Sequence, residues 1–190
     1  MKIIATDFPG LYVIEPVVFN DDRGYFFESY RNEHFIRAGL DLKFKQDNQS
    51  KSTCGVLRGL HYQLNYGQGK LVSCAYGKVF DVALDIRKGS PTFGKVFTIT
   101  LNDKDHHAVY IPPGFAHGFC VLSDKAIFQY KCTETYYPED EYGISWNDQQ
   151  ANIQWPVNEP IISDKDMAFP QLADQDESLL PEFEIGRAHV

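Results

Sequence analysis

The sequence predicts an all-β fold, a sandwich or barrel. Three observations carry that prediction. Roughly eight or more short runs rich in Val, Ile, Phe and Tyr recur at regular spacing along 190 residues. Glycine and proline punctuate them, 14 and 10 in number, and so supply the turns that many short strands need. Only one stretch, 32–38, has the character of a helix, so helices are expected to be short and peripheral. The length suits a single domain, 1–190, large enough for a full core.

Taken in order, Leu11 to Phe19 (LYVIEPVVF) is β-rich but interrupted by Pro16, which predicts an edge strand or two pieces. Asn20-Asp-Asp-Arg-Gly24 is a turn, and Tyr25 to Tyr30 reads as a strand. Asn32 to Ala38 is the helix, closed by Gly39 as its C-terminal cap. Phe44 to Ser52 returns to extended chain. Leu71 to Tyr76 is followed by a Gly77-Lys78 turn. In Val79 to Arg87, Val82, Leu84 and Ile86 point one way and Asp81, Ala83, Asp85 and Arg87 the other. Gly94 to Leu101, Ala108 to Ile111, Phe115 to Leu122 and Ala126 to Thr133 complete the strands. Beyond them Pro138 to Glu141 reads as loop, and from about Glu182 to Val190 the pattern fades, predicting a frayed or non-native tail.

Composition excludes several classes. A net charge of −8 argues against a nucleic-acid backbone as partner, though not against a nucleotide in a locally basic pocket. The opening Met-Lys-Ile-Ile-Ala-Thr-Asp has no apolar core of a secretory signal, and no run approaches membrane-spanning length. Cys54, Cys74, Cys120 and Cys132 are scattered without a CxxC pair, so they are read as reduced, the protein as cytoplasmic, and a zinc site as not indicated. No dinucleotide-binding or Walker glycine loop occurs.

The chemistry centres on Gly55-Val-Leu-Arg-Gly-Leu-His-Tyr-Gln63 and the loop to Lys70. It gathers Arg58, His61 and Lys70. A neutral histidine can take a proton near pH 7. Arginine and lysine can hold phosphate or steady a developing oxyanion. Taken alone, the run would suit an ordinary surface hairpin.

A second histidine follows a Pro-x-Gly-x-x-His turn, Pro112 to His117, and that segment resembles the second motif of the cupin superfamily, a double-sheet jelly roll. The first cupin motif asks for His-x-His and an acid as metal ligands. Here it reads His61-Tyr62-Gln63 with Lys70 near the place of the acid, and a lysine repels a divalent cation. The departure points to a pocket without metal that does acid–base chemistry.

The resemblance sharpens across Gln46-Asp-Asn48, Gly55 to Gln63, Gln68-Gly-Lys-Leu-Val72, Asp81 to Arg87, Ser90 to Gly94, Ile111 to Phe119 and Tyr130 to Thr133. These blocks, in this order, look like the dTDP-4-dehydrorhamnose 3,5-epimerase family over residues 1 to about 170, leaving 171–190 as a tail. The resemblance implies a cofactor-free, metal-free epimerase of dTDP-4-dehydro-6-deoxy-D-glucose. It implies His61 as base and Asp166 as the carboxylate that orients it, with Asp81, Asp85 and Asp164 as rivals. Tyr130 matches the acid and Lys70 the cation near the keto oxygen. Arg23, Glu28, Gln46, Asp47, Asn48, Arg58, His117, Glu141 and Lys165 match substrate contacts, and Tyr136 the ring that stacks on thymine. The family forms homodimers whose N-terminal segments cross into the partner's pocket, which would let Arg23 and Glu28 act in trans. Two departures stand out: a loop before Lys70 about one residue short of the family's, and Gln49 where the family often has His. A relative that inverts only C3 or C5, or a metal- or sugar-binding cupin, is the alternative.

Overall fold

The computed structural model describes residues 1–184. The architecture is all-β: two facing antiparallel sheets with two short helices at the edge, as the sequence predicts. The strands are β1 (Lys2–Ala5), β2 (Tyr12–Glu15), β3 (Phe19–Asp21), β4 (Gly24–Phe26), β5 (Gln46–Thr53), β6 (Leu57–Gln63), β7 (Lys70–Tyr76) and β8 (Lys78–Asp85), then β9 (Val96–Asn102), β10 (Ala108–Ile111), β11 (Phe115–Val121), β12 (Lys125–Cys132) and β13 (Glu141–Gly143). Helix α1 is Asn32–Arg37 and α2 is Asp164–Met167. One sheet runs β1-β2-β10-β7-β12-β5 and the other β13-β6-β11-β8-β9, while β3 and β4 form a separate hairpin.

The layers follow from where each apolar face is buried. Between the sheets lie Val72, Val109, Ile111 and Phe128 from one side and Val79, Ala83, Leu101, Phe115 and Phe119 from the other. Helix α1 and the chain after it cover the outer face of the first sheet, with Phe35 and Leu42 against Ile14, Leu71 and Tyr110. The segment after β13 covers the outer face of the second sheet, bringing Ile144, Leu172 and Leu180 onto Leu60, Val82, Leu84 and Ile86. The alternation read in Val79 to Arg87 therefore holds, but both of its faces are interior. Asp85 is fully buried and takes both forks of Arg87 at 2.9 and 2.7 Å, plus the hydroxyls of Ser90 and Thr92 at 2.6 Å each. Burial pushes this carboxyl up, but those donors outweigh it and hold it below its usual range. The Arg87 guanidinium lies over Phe115 at 4.4 Å and Phe183 at 4.9 Å.

Several elements differ from the sequence expectation. Pro16 does divide the first run, into β2 and β3, but β2 lies inside its sheet because β1, unread in the sequence, forms the edge beyond it. The strand expected over Tyr25 to Tyr30 stops at Phe26, because the hairpin pairs only Phe19–Asp21 with Gly24–Phe26. The loop before Tyr142 ends in β13, paired with β6. The tail expected to be frayed is ordered through Phe183, whose N–H donates to Lys88 O at 2.9 Å, while Glu182 bridges Lys88. The rest of that expectation, 185–190, lies outside the described residues. All four cysteines are free. Among the described residues no helix is long and apolar enough to cross a membrane.

Candidate active site

Strands β6 and β11 set the site. They pair so that His61 stands directly opposite His117. The approach is close because glycines meet at the crossing. A Cβ on Gly59, whose φ is +121°, would lie 2.6 Å from Gly118 Cα, and one on Gly118 would lie 2.6 Å from Arg58 O. Each histidine is backed by an acid. His61 Nε2 is 3.0 Å from Asp166 Oδ1, and His117 Nε2 is 2.9 Å from Asp81 Oδ2. Asp166 arrives on α2, whose N-cap Ser163 accepts the Asp166 N–H at 3.2 Å. Its second oxygen accepts the Gly59 N–H at 2.9 Å, so both carboxylate oxygens are fixed. Burial raises the Asp166 carboxyl, but the bonds from His61, Gly59 and Ser163 outweigh it and keep its pKa below the usual value. An ionised carboxylate only accepts, so in the neutral ring of His61 the proton sits on Nε2 and the lone pair on Nδ1.

The facing sheet supplies the opposite wall. On β5 the side chains of Gln46, Asn48 and Ser50 alternate into the cleft. Tyr130 on β12 pairs with Asn48 on one side and Val72 on the other, and Cys132 pairs with Gln46 and Lys70. These strands and β6–β11 enclose a cleft of about 310 Å³ that also takes in Arg58, His61, Lys70 and His117. Phe119 and Phe128, stacked at 4.1 Å between ring centroids, line its apolar part. Burial depresses the Lys70 ammonium below its ordinary value, against the opposing charges of Cys132, Glu141 and Asp81. Burial raises the Tyr130 phenol, so it stays protonated at neutral pH. At the mouth, Glu141 Oε2 accepts the Tyr136 hydroxyl at 2.8 Å and pairs with the Lys165 ammonium. Burial raises the Glu141 carboxyl, and Lys165 and Tyr136 more than offset it.

The loops that carry these groups are tied together from behind. Buried Asp140 accepts Asn65 N–H, Asn65 Nδ2 and Tyr66 N–H at 3.1, 2.7 and 2.8 Å. Gln63 donates to Tyr66 O and Thr135 O and accepts Tyr137 N–H. The residue that stands where a cupin would hold a metal ligand thus acts as a clamp between loops. Among the described residues no three His, Cys, Asp or Glu side chains converge on a metal position.

A cleft that combines a carboxylate-backed histidine, a protonated tyrosine and a half-buried lysine is built for proton transfer beside a carbonyl. The family model for dTDP-4-dehydrorhamnose 3,5-epimerase matches residues 5–174. The chain belongs to this epimerase family. It is 53% identical over 178 residues to the dTDP-4-dehydrorhamnose 3,5-epimerase of Shigella flexneri, covering 93% of this chain and 98% of the relative. The crystal structure of the dTDP-6-deoxy-D-glucose-3,5-epimerase of Legionella pneumophila Philadelphia 1, in complex with dTDP-4-keto-L-rhamnose, superposes with a TM-score of 0.93. It is 48% identical, with 96% of this chain and 98% of that one covered. A 3'-monoepimerase from Streptomyces bikiniensis, solved with dTDP-quinovose, gives a TM-score of 0.89 at 36% identity, covering 94% and 92%. The chain is thus an isomerase of the epimerase class.

Set against the epimerase expectations, the cleft gathers His61, Lys70, Tyr130, Gln46, Asn48, Arg58, His117, Tyr136 and Glu141 in one chain. Asp166 prevails over its rivals because Asp81 is taken by His117, Asp85 by Arg87, and Asp164 is exposed. Four of the expected substrate contacts do not line this cleft, two of them, Arg23 and Glu28, being expected in a partner's. Asp47 alternates to the outer face of β5 and pairs there with Lys131 at 2.8 Å. Arg23 and Glu28 do not reach this chain's cleft: Arg23 pairs with Asp21 at 2.5 Å and Glu28 with Arg31 at 3.3 Å. Lys165 stands at the mouth, where it pairs with Glu141. Sequence reasoning gave no role to Gly59, Gly118, Ser50 or Gln68. The glycines lay inside quoted motifs, and a period-2 reading of β5 from Gln46 would have found Ser50.

Proposed function

We propose that this chain inverts C3 and C5 of dTDP-4-dehydro-6-deoxy-D-glucose, giving dTDP-4-dehydro-L-rhamnose. The observation that carries the reading is the His61–Asp166 pair sharing one cleft with Tyr130 and Lys70. The C4 ketone acidifies the protons on both neighbouring carbons. His61 Nδ1 takes one of them, and its electron pair moves to O4 as an enolate. Asp166 holds the ring and stabilises the imidazolium that forms. Lys70 faces O4 and steadies the developing charge. Tyr130 then delivers a proton to the opposite face, and the carbon emerges inverted. Neither hydride transfer nor metal is required by this chemistry.

Gln46, Asn48 and Arg58 serve the diphosphate and sugar, with the guanidinium suited to phosphate oxygens. His117 forms the wall beside the ketone, and Tyr136 stacks on thymine while Glu141 and Lys165 set its position. One domain, 1–190, performs the whole reaction in the cytoplasm. The working form is a homodimer that exchanges N-terminal segments, which brings Arg23 and Glu28 into the partner's cleft. The exposed Val17, Phe19, Tyr25 and Phe26 of the β3–β4 region support it, because such a row is poorly suited to water.

A second reading, inversion of one carbon only, is favoured by the likeness to a 3'-monoepimerase. Proton NMR of the protein with dTDP-4-dehydro-6-deoxyglucose in D2O separates them. Loss of both the C3 and C5 protons, with inversion, is expected. Exchange at one carbon would select the second reading, and exchange at neither would overturn the first and second alike.

A further inference from the structure

The hairpin β3–β4 belongs to neither sheet. Among the described residues, the hydrogen bonds and ion pairs of residues 17–27 stay within it, as in the Asn20–Tyr25 pairing and the Arg23–Asp21 bridge. Arg23 lies at its turn and Glu28 just past its end. Neither can meet a substrate at a defined place unless something fixes the hairpin. Hydrogen bonding does not, so its position must come from packing.

His106 supplies that packing. Its ring lies 4.4 Å from the Tyr25 ring and 4.7 Å from the Phe27 ring, stacked on the latter, and those two rings are 6.0 Å apart. Phe26 and Glu28, which alternate with them, are left exposed. The loop beneath His106 is well braced. Asn102 Oδ1 accepts the N–H groups of Lys104 and Asp105 at 2.8 and 2.9 Å, and Asn102 O accepts the His106 N–H at 3.3 Å. Asp103 ties the same loop to the turn between β7 and β8, accepting the Gly77 N–H at 2.7 Å. His106 itself has a φ of +54°, a region that few side chains adopt, histidine and asparagine being among those that do. It stands two residues before Ala108, which pairs with Ile14, and so beside the place where the chain leaves β2 for the hairpin.

We propose that His106 is a positioning residue for substrate binding, the post on which the hairpin is mounted so that Arg23 and Glu28 meet the sugar nucleotide at a fixed place. It touches neither the substrate nor the reacting atoms. The inference rests on the epimerase reading, in which those two residues serve a partner's cleft, and adds the residue that holds them ready. A guanidinium on a wandering hairpin must be ordered at every binding event, and that ordering costs affinity. A mounted hairpin avoids the cost. The effect belongs to binding and not to proton transfer, since His61, Lys70 and Tyr130 stand on the two sheets, which the hairpin does not join.

The test removes the ring and keeps the backbone. His106→Asn does so, because asparagine tolerates the positive φ. Steady-state kinetics with dTDP-4-dehydro-6-deoxyglucose are compared for wild type, His106→Asn, Arg23→Ala and the double variant. His106→Asn is expected to raise KM about tenfold, with kcat within about twofold of wild type. Arg23→Ala is expected to raise KM as well. The double variant should lose no more than the worse single variant, because both remove the same contact. A packing role alone would lower Tm and leave KM unmoved. A folded His106→Asn with wild-type KM therefore overturns the post, and so does a double variant whose losses multiply. Arg23→Ala with wild-type KM overturns it too, since the hairpin would then bring nothing to the substrate. If His106→Asn does not fold, His106→Gly, equally free at this φ, is read by the same outcomes. Wild-type protein that inverts neither carbon overturns the epimerase reading itself, a distinct result.

Discussion

His61 and Asp166 show how much one hydrogen bond decides. Replacing Asp166 by Asn keeps the shape but lets the amide donate, so the imidazole loses its enforced tautomer. We expect kcat to fall by roughly 10²–10⁴-fold, with the circular dichroism spectrum unchanged. The same carboxyl links activity to stability. Its folded pKa is depressed, so its contribution is present above the ordinary carboxylate value and is lost as pH falls through the lower folded value. Denaturant melts of wild type should weaken across that acidic window, and Asp166→Asn should lack that component. Lys70 and Tyr130 move in opposite directions: burial lowers the ammonium from its ordinary 10.5 and raises the phenol from 10.0. Both directions favour Lys70 as the group whose loss of charge sets the alkaline limb of kcat. An arginine stays charged, so Lys70→Arg should push that limb to higher pH whatever it does to the maximum. An unmoved limb would assign it to Tyr130.

At the scale of elements, legibility in the sequence tracked periodicity. β8, β9, β11 and β12 carry alternating or β-branched runs, and the structure has them within two residues of the expected bounds. Helix α1 was legible from Gly39, which sits at φ +82° and closes it by donating to Ile36 O. What the pattern could not reveal was pairing across distance. β1 and β13 are three or four residues long and exist because a neighbouring edge accepts them. The carboxylate that would orient His61 was ambiguous for the same reason, since Asp81, Asp85 and Asp166 differ only in which partner the fold delivers. Arg87 gives a test of the buried network. Replacing it by Ala strands the Asp85 charge, with an expected loss of about 3–5 kcal/mol and a fall in Tm of roughly 6–20 °C. A shift of a degree or two would mean that the two hydroxyls suffice.

For the whole molecule, the exposed hairpin and the displaced Arg23 and Glu28 pose one question. If they complete a partner's cleft, Arg23→Ala and His61→Ala homodimers should each be impaired, and mixing them should restore activity at about a quarter of the sites by random reassociation. No recovery on mixing, with subunit exchange verified, would confine each site to its own chain. The sequence made the family legible through ordered blocks, yet Asp47 shows the limit of such transfer. A block can match while alternate side chains of the strand face opposite ways.

The covering of the second sheet by the last third of the chain has a consequence for the order of biosynthesis. His61 is made early, but the acid that holds it lies 105 residues further on. The strands of both sheets can leave the ribosome and pair long before α2 emerges. A nascent or truncated chain ending before Ser163 would therefore hold a formed cleft with an unoriented base. Competence arrives late, with the segment that also seals Leu60, Val82 and Leu84 from water.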